Sequence, residues 1–332
     1  MTTHVLRYAA FTTTPDGGNP AGVVLDAAGL NEAEMQAIAA EVGYSETAFV
    51  TGPADGDING QVGGGDIEDG GSRRRHVAVR YFSPLAEVPF CGHATIATGV
   101  AMGDRGERDE VVFNTAAGPV GVRVAMLEGR PAATLTSVPP NTEPVADADL
   151  AEALAALRWR AGDLDPALPP RVAYAGARHL VLAAATRARL ARLDYDMARL
   201  GALMGARDWT TLQLVFRASA TVFWARDPFP PGGVVEDPAT GAAAAALGGY
   251  LRELGLVDVP ADLVVHQGDD LGRPSLLRVH VPVEPGSGIR VTGHAVPLPS
   301  TLPQPLLASD LARVARAVRA PPARPAARPP RR

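Results

Sequence analysis

Three short stretches of this sequence carry side chains that could move protons on a small molecule. Glu46 lies in YSETAFV, Cys91 and His93 lie in PFCGHAT, and Asp237 lies in VEDPATG. Taken singly, Glu46, His93 and Asp237 each have an ordinary structural role, as a paired strand-edge carboxylate, a core or capping histidine, and a turn residue. Each is a weak signal alone, but a carboxylate in a closed, mostly apolar cleft becomes a stronger base, so the set could perform acid–base chemistry if the fold brings it together.

Two of the stretches also predict helix starts that could hold an anion. Gly92 precedes the small-residue run HATIATGVAM, and Gly241 precedes AAAAALGGYL. The first backbone N–H groups of a helix have no partner within the helix, so both starts could receive a substrate carboxylate. Cys91, the only cysteine, cannot form an intramolecular disulfide and is by default a small buried apolar side chain.

The composition is that of a globular protein and argues against nucleic acid or membrane partners. Hydrophobic residues make up 46% of the chain, so a core can form, and the formal net charge of −5 does not suit a surface that neutralises phosphates. The sequence contains no apolar run of transmembrane length, and its N-terminus lacks a basic segment leading into an apolar core. Together with the lone cysteine, these features predict a cytoplasmic protein.

The order of the elements predicts an α+β fold with two similar lobes. Each half of the chain combines several strand patterns with one helix of Ala, Gly and Thr, and such a slender apolar helix suits burial inside a sheet. We expect each lobe to be a β-barrel-like mixed sheet around a central helix, with both helix N-termini at a shared cleft. The N-terminal lobe is assigned to 1–128, completed by a strand at 289–298, and the C-terminal lobe to 129–288. Residues 309–332 are expected to form a helical end and then a disordered Arg/Pro-rich tail.

Five motifs carry a resemblance to a known family. They are, in order, GNPAGVVL, YSETAFV, YFSPLAEVPFCGHAT, VEDPATGAAAAAL and HQGDDLGRPSLLRV. In this order and at these separations they resemble the PhzF family of phenazine-biosynthesis isomerases, relatives of diaminopimelate epimerase, over nearly the whole chain. The resemblance implies a diaminopimelate epimerase-like fold, a homodimer, and acid–base catalysis on a small carboxylate with neither cofactor nor metal.

The resemblance also implies roles for particular residues. The family's catalytic glutamate, histidine and aspartate fall on Glu46, His93 and Asp237. Positions that hold the substrate or shape the cleft fall on Asn19, Gly92, Thr240, Gly241, Ala242, Gln267, Gly268 and Arg273. Because the epimerase relatives use two cysteines, the single Cys91 excludes a two-thiol mechanism, and the base role passes to Glu46.

One departure from the family pattern bears on the substrate. Family members often continue the DPxTG motif with Ser-Ala-His, whereas Ala242, Ala243 and Ala244 follow it here. A hydroxyl and an imidazole are therefore missing, which argues for a substrate other than the phenazine precursor trans-2,3-dihydro-3-hydroxyanthranilate.

The sequence leaves other functions open beside a double-bond-shifting isomerase. One is racemisation or epimerisation at a single carbon, with Glu46 and Asp237 or His93 on opposite faces. Another is a protein of the same fold that binds a small molecule without catalysis. Metal-dependent hydrolysis with His93, His266, His280 and His294 is disfavoured, since no pair of them has a helical metal-ligand spacing.

Overall fold

The computed structural model describes residues 4–53, 67–69, 72–107 and 110–299. The strands of the first half are β1 (Leu6–Ala10), β2 (Asn19–Val24), β3 (Glu46–Pro53), β4 (Ile67–Asp69), β5 (Ser72–Phe82), β6 (Glu87–Val88), β7 (Glu110–Thr115), β8 (Gly118–Leu127) and β9 (Arg130–Thr136). Those of the second half are β10 (Asn141–Pro144), β11 (Arg171–Tyr174), β12 (Arg178–Ala183), β13 (Thr211–Arg217), β14 (Val222–Phe229), β15 (Val234–Asp237), β16 (Ala261–Gln267), β17 (Ser275–Val281) and β18 (Arg290–Pro297). The helices are α1 (Glu32–Val42), α2 (Gly92–Asp104), α3 (Asp147–Leu157), α4 (Arg187–Ala191), α5 (Met197–Arg207) and α6 (Gly241–Glu253).

The first lobe is a closed barrel around α2. Its strands neighbour one another in the order β1, β2, β3, β5, β7, β8, β9 and β18, and β18 pairs with β1 to close the ring. The residues of α2 from His93 to Gly103 are all buried. The small side chains of this helix therefore allow it to fill the barrel, as its composition predicts.

The second lobe repeats this pattern around α6. In the first lobe, the parallel pairs are β2–β3 and β5–β7, and the other neighbours from β1 to β9 are antiparallel. In the second lobe, the parallel pairs β12–β13 and β14–β16 stand at the same places in the series from β11 to β18. In each lobe the central helix lies in the connection between the two strands of the second parallel pair: α2 connects β5 to β7, and α6 connects β14 to β16. The predicted fold of two similar lobes, each with a barrel-like mixed sheet around one helix, is confirmed.

The lobes share β18, which pairs with β17 of the second lobe and with β9 and β1 of the first. The expected division between residues 128 and 129 stays a prediction, although β9, which begins at Arg130, pairs on both sides within the first barrel. The expected tail at 309–332 lies outside the described residues. None of the helices in the described ranges has both the length and the apolar character needed to cross a membrane.

Strand β10 and helix α4 are among the elements of the second lobe that were not anticipated. Strand β10 follows Pro139 and Pro140 and ends at Pro144, a composition typical of loops, but it lies at the open edge of the sheet, where proline costs no ladder hydrogen bond. Helix α4 is only five residues long, too short to give a helical period in the sequence.

Candidate active site

Each candidate catalytic side chain lies at the end of a secondary-structure element, at the junction of the two lobes. Asn19 begins β2 and Glu46 begins β3, and these two strands run parallel and side by side. His93 is the second residue of α2, and Asp237 is the last residue of β15, just before α6. Element ends of both lobes thus place four polar side chains at one point.

The two central helices begin opposite one another at this junction. A Cβ atom placed on Gly92 would lie 3.5 Å from the backbone nitrogen of Ala242 and 3.5 Å from the Cα of Gly241. Neither helix has a side-chain cap at its N-terminus. Because each helix start carries a partial positive charge of roughly half an elementary charge, two facing starts repel each other unless an anion lies near both.

Thr240 explains why α6 is left uncapped. A threonine at this position usually accepts a hydrogen bond from the first turn of its helix. Here the Thr240 hydroxyl instead donates to Asp237 Oδ2 at 2.6 Å, and it accepts from Gln267 Nε2 at 3.1 Å. Gln267 also donates to the Asp237 carbonyl at 2.8 Å and accepts from the Thr240 N–H at 3.1 Å. The Asp237 carboxylate is therefore held firmly, and the first turn of α6 remains open.

Glu46, Cys91 and His93 form a second group on the side of the first lobe. His93 Nε2 lies 3.3 Å from Glu46 Oε2, and the Cys91 thiol lies 3.5 Å from the same oxygen and 3.3 Å from His93 Nδ1. The side chains of His93 and Glu46 are only 6% and 13% exposed. Burial, together with the Glu46 carboxylate, raises the pKa of the Cys91 thiol well above its usual range, so the thiol is a proton donor to its neighbours.

Asn19 joins the two groups across the lobe junction. Its Nδ2 lies 2.6 Å from Asp237 Oδ1, 3.1 Å from the Ala239 carbonyl oxygen and 3.1 Å from His93 Nδ1. A carboxylate and a carbonyl can only accept, so they fix which end of the amide faces them. A continuous chain of polar contacts therefore runs from Glu46 through His93 and Asn19 to Asp237.

The contacts of His93 also define which ring nitrogen carries the proton in the neutral ring. Asn19 Nδ2 lies 3.1 Å from Nδ1 and can only donate, so Nδ1 accepts. The proton then lies on Nε2, which faces Glu46 Oε2 at 3.3 Å and the Ser45 hydroxyl at 3.3 Å. In this state His93 presents a donor to the carboxylate that is placed to act as a base.

Burial tunes the two aspartates of the second lobe. It raises the pKa of Asp237 to about 6, against the opposing effects of His93, Thr240 and Asn19, which favour the charged form. Asp227, which pairs with Asp237 in the β14–β15 ladder, is fully buried, and burial raises its pKa well above the usual range. Asp237 can thus change its charge near neutral pH, whereas at Asp227 burial favours the uncharged form.

Comparisons with known proteins identify the family of this chain. The family model described as phenazine biosynthesis-like protein, PhzC-PhzF, matches residues 8–300. The chain belongs to the PhzC-PhzF family. It is 30% identical over 276 residues to the trans-2,3-dihydro-3-hydroxyanthranilate isomerase of Pseudomonas chlororaphis, covering 82% of this chain and 88% of that protein. It is also 30% identical over 301 residues to the uncharacterized isomerase YddE of Escherichia coli K12, covering 88% of this chain and 94% of that protein.

A solved structure supports the same family. The PhzF-family phenazine biosynthesis protein of Bacillus anthracis superposes with a TM-score of 0.75 at 27% identity, covering 90% of this chain and 98% of that one. The predicted resemblance to the PhzF family is therefore confirmed, and the protein is an isomerase of this family. The catalytic role of each residue stays a prediction.

The structure of this PhzC-PhzF protein brings most of the predicted site residues together. Those at the junction are Asn19, Glu46, Gly92, His93, Asp237, Thr240, Gly241, Ala242 and Gln267. Gly268 and Arg273 do not reach the junction but support the residues that form it. Gly268 has a φ of +77°, and a Cβ there would lie 2.3 Å from the Arg273 carbonyl oxygen, so only glycine fits. Arg273 donates to the Gly17 and Gly18 carbonyls and so anchors the residues that lead into Asn19.

Four side chains of the site were not anticipated in these roles. Ser45 reaches His93, and Cys91, expected only to pack at the start of α2, contacts both Glu46 and His93. With its amide nitrogen turned toward Asp227, Gln213 donates to both carboxyl oxygens at 2.9 Å. Asp227 and Gln213 lie on adjacent strands in patterns that look like ordinary strands, so no sequence signal distinguished them. For Ser45, its position beside Glu46 was the only available signal.

Proposed function

We propose that this isomerase moves a proton along a small unsaturated carboxylate or amino acid and thereby relocates a double bond, without a cofactor. The observation that carries the proposal is the chain of polar contacts from Glu46 through His93 and Asn19 to Asp237, at the point where two uncapped helices begin. The carboxylates, the imidazole and the amide of this chain therefore lie next to two helix starts that favour binding of an anion.

The substrate carboxylate binds between the first turns of α2 and α6. Their free N–H groups donate to it, and its negative charge relieves the repulsion between the two facing helix starts. A side chain at Gly92 would lie in van der Waals contact with Gly241 and Ala242, so the glycine keeps the space between the two helix starts free for the substrate. The carboxylate thereby fixes the position of the neighbouring carbon atoms relative to Glu46.

Glu46 takes a proton from carbon and returns it to a different carbon. The C–H bond breaks as Glu46 takes the proton, and its electron pair forms the new double bond. The electron pair of the old double bond then takes the proton back from the Glu46 carboxylic acid at the far carbon, forming the new C–H bond. His93 donates from Nε2 to Glu46 or to a polar group of the substrate. Asp237, fixed by Asn19 and Thr240, accepts from the substrate's amino or hydroxyl group.

The substrate belongs to specialised-metabolite biosynthesis, and phenazine-type intermediates are the first compounds to test. The name of the Pseudomonas chlororaphis relative supplies one such compound, trans-2,3-dihydro-3-hydroxyanthranilate. The alanines after Gly241 limit this analogy. Ala243 and Ala244 are buried in the core, so Ala242, which is partly exposed at the helix start, is the position where a lost hydroxyl would reach the substrate.

Proton NMR in D2O tests this proposal. The protein and a Glu46→Gln variant are incubated with trans-2,3-dihydro-3-hydroxyanthranilate and with related unsaturated amino acids. We expect deuterium at a new carbon and a shifted double bond with the wild type and neither with the variant. Binding of these compounds without any exchange would contradict the proposal and favour a non-catalytic cleft.

A second candidate is epimerisation at one carbon. It is favoured by one observation, the position of two carboxylates, Glu46 and Asp237, at opposite ends of the polar chain and on different lobes. Deuterium at the original carbon with inversion of configuration would identify this reaction. The expected homodimer and cytoplasmic location stay predictions, and light scattering after size exclusion tests the first.

A further inference from the structure

Glu46, Cys91 and His93 present three different metal-ligand atoms to one point. Among the described residues, these three side chains form the group that could hold a metal ion. The Cys91 sulfur lies 3.5 Å from Glu46 Oε2 and 3.8 Å from His93 Nε2, and those two atoms lie 3.3 Å apart. Ligands at tetrahedral positions around zinc, with bonds of about 2.0 to 2.3 Å, are separated by about 3.3 to 3.6 Å. The three atoms thus already stand close to the corners of a zinc site.

The kinds of ligand select the kind of ion. Magnesium and calcium prefer oxygen ligands alone, whereas zinc takes thiolate, imidazole and carboxylate together. Cys91 and His93 are 7% and 5% exposed, so the ion would be largely shielded. The Ser45 hydroxyl, 3.3 Å from His93 Nε2, or a water molecule can take the fourth position.

We propose that Glu46, Cys91 and His93 bind Zn2+ or a divalent ion of similar softness, and that this ion blocks the isomerase. The claim that the ion blocks the isomerase rests on the proposed function, whereas the claim that the ion binds does not. A bound ion engages the Glu46 oxygen that acts as the base. It also takes Nε2 of His93, so the ring proton moves to Nδ1. Asn19 must then turn its amide so that Oδ1 accepts a hydrogen bond from Nδ1–H, and it no longer donates to Asp237.

Titration with Co2+ tests the binding directly. Cobalt substitutes for zinc in such sites, and a thiolate bound to it gives a charge-transfer absorption in the near ultraviolet. Because Cys91 is the only cysteine of the chain, this absorption reports on this site alone. We expect the band with the untagged full chain, loss of the band in Cys91→Ser, and affinity at least about tenfold weaker in Glu46→Gln and in His93→Gln.

A matched control addresses binding at the surface. His280 on β17 pairs with the exposed Asp262 at 2.7 Å, away from the proposed site, and His280→Gln should leave the band and its midpoint unchanged. Circular dichroism of each variant establishes that it is folded. A wild type without the band under excess Co2+ would overturn the proposal. So would a band whose midpoint is the same in Glu46→Gln and His93→Gln, because Cys91 would then bind the ion without them.

Inhibition is measured separately with Zn2+. We expect Zn2+ to abolish turnover in competition with substrate, chelation to restore it, and Cys91→Ser to be at least about tenfold less sensitive. Cobalt binding without any isomerase activity would leave the metal site intact and count only against the proposed function. Full activity with the site saturated by Zn2+ would overturn the claim that the ion blocks it.

Discussion

The two halves of the site, one from each lobe, are built on the same order of strand pairings but are held with different tightness. On the side of the second lobe, Asp237 receives hydrogen bonds from Asn19 and Thr240 at 2.6 Å each, and Gln267 braces the turn behind it. On the side of the first lobe, the contacts among Glu46, Cys91 and His93 are between 3.3 and 3.8 Å. The hydrogen bonds of the second lobe therefore fix Asp237 in position, whereas the longer contacts of the first lobe allow Glu46 and His93 to move.

This difference suggests a division of labour. In enzymes without bound substrate, catalytic hydrogen bonds are often long and shorten only in the complex. The group that moves protons must change partners during the reaction, so loose contacts suit Glu46 and His93. The group that orients the substrate must not move, so short bonds suit Asp237. Each prediction below tests one side of this comparison.

The largest effect is expected from Glu46→Gln. The amide keeps the shape of the side chain but cannot accept a proton, so kcat should fall by about 10²- to 10⁴-fold, while the fold is retained. Deuterium exchange or the rate of double-bond shift measures this loss. Glu284→Gln, at an exposed loop position, is the matched control and should keep full activity. A loss of less than tenfold in Glu46→Gln would assign the base role to another group.

The second effect concerns pH and Asp237. Its pKa rises from an ordinary 3.8 to about 6, so between these values the folded protein binds a proton that the unfolded chain releases. The contribution of Asp237 to stability is therefore greatest below pH 4 and declines as the pH rises through 6, by roughly 3 kcal/mol in total. Asp237→Asn does not titrate, so its free energy of unfolding relative to wild type should improve by about that amount between pH 4 and 7.

Urea unfolding at a series of pH values measures this difference. A relative stability that is constant over the range would mean that the frame around Asp237 holds it as an ordinary ionised carboxylate. In kinetics, the same group should appear as an increase of kcat/KM through an apparent pKa of about 6, because Asn19 and Thr240 both donate to the charged form.

Asn19→Ala should break the link between the two halves. It removes the amide that donates to Asp237 Oδ1 and to the Ala239 carbonyl and that contacts His93, so these buried groups lose a hydrogen-bond partner. The free energy of unfolding should fall by about 1 to 3 kcal/mol. Asn141→Ala, at an exposed position, should change it by less than about 0.5 kcal/mol. Equal stability of the two variants in urea unfolding would show that Asn19 does not join the lobes.

The sequence could predict features within each lobe but not the contacts between residues that are far apart in the chain. Glycine at a helix start and the slender apolar helices leave local signals, so the two lobes could be predicted. The roles of Glu46, His93 and Asp237 could be predicted only from the ordered motifs that resemble the PhzF family. The contacts between lobes leave no local signal, because Asn19 and Asp237 are 218 positions apart. Likewise, the group of Glu46 and Cys91 spans 45 positions, so no short spacing suggests a metal site there.

The smallest effect is expected from Asp227→Asn, deep in the fixed half. Because burial favours the uncharged form of Asp227 beside Gln213, we expect an uncharged amide of the same shape to change the free energy of unfolding by less than about 1 kcal/mol. Asp227→Ala, which leaves the Gln213 amide without a partner, should cost about 1 to 3 kcal/mol. Urea unfolding at pH 7 compares the two variants. If Asp227→Asn destabilised the protein as much as Asp227→Ala, the buried carboxyl would have to be ionised. The second lobe would then place two negative charges, those of Asp227 and Asp237, on neighbouring strands.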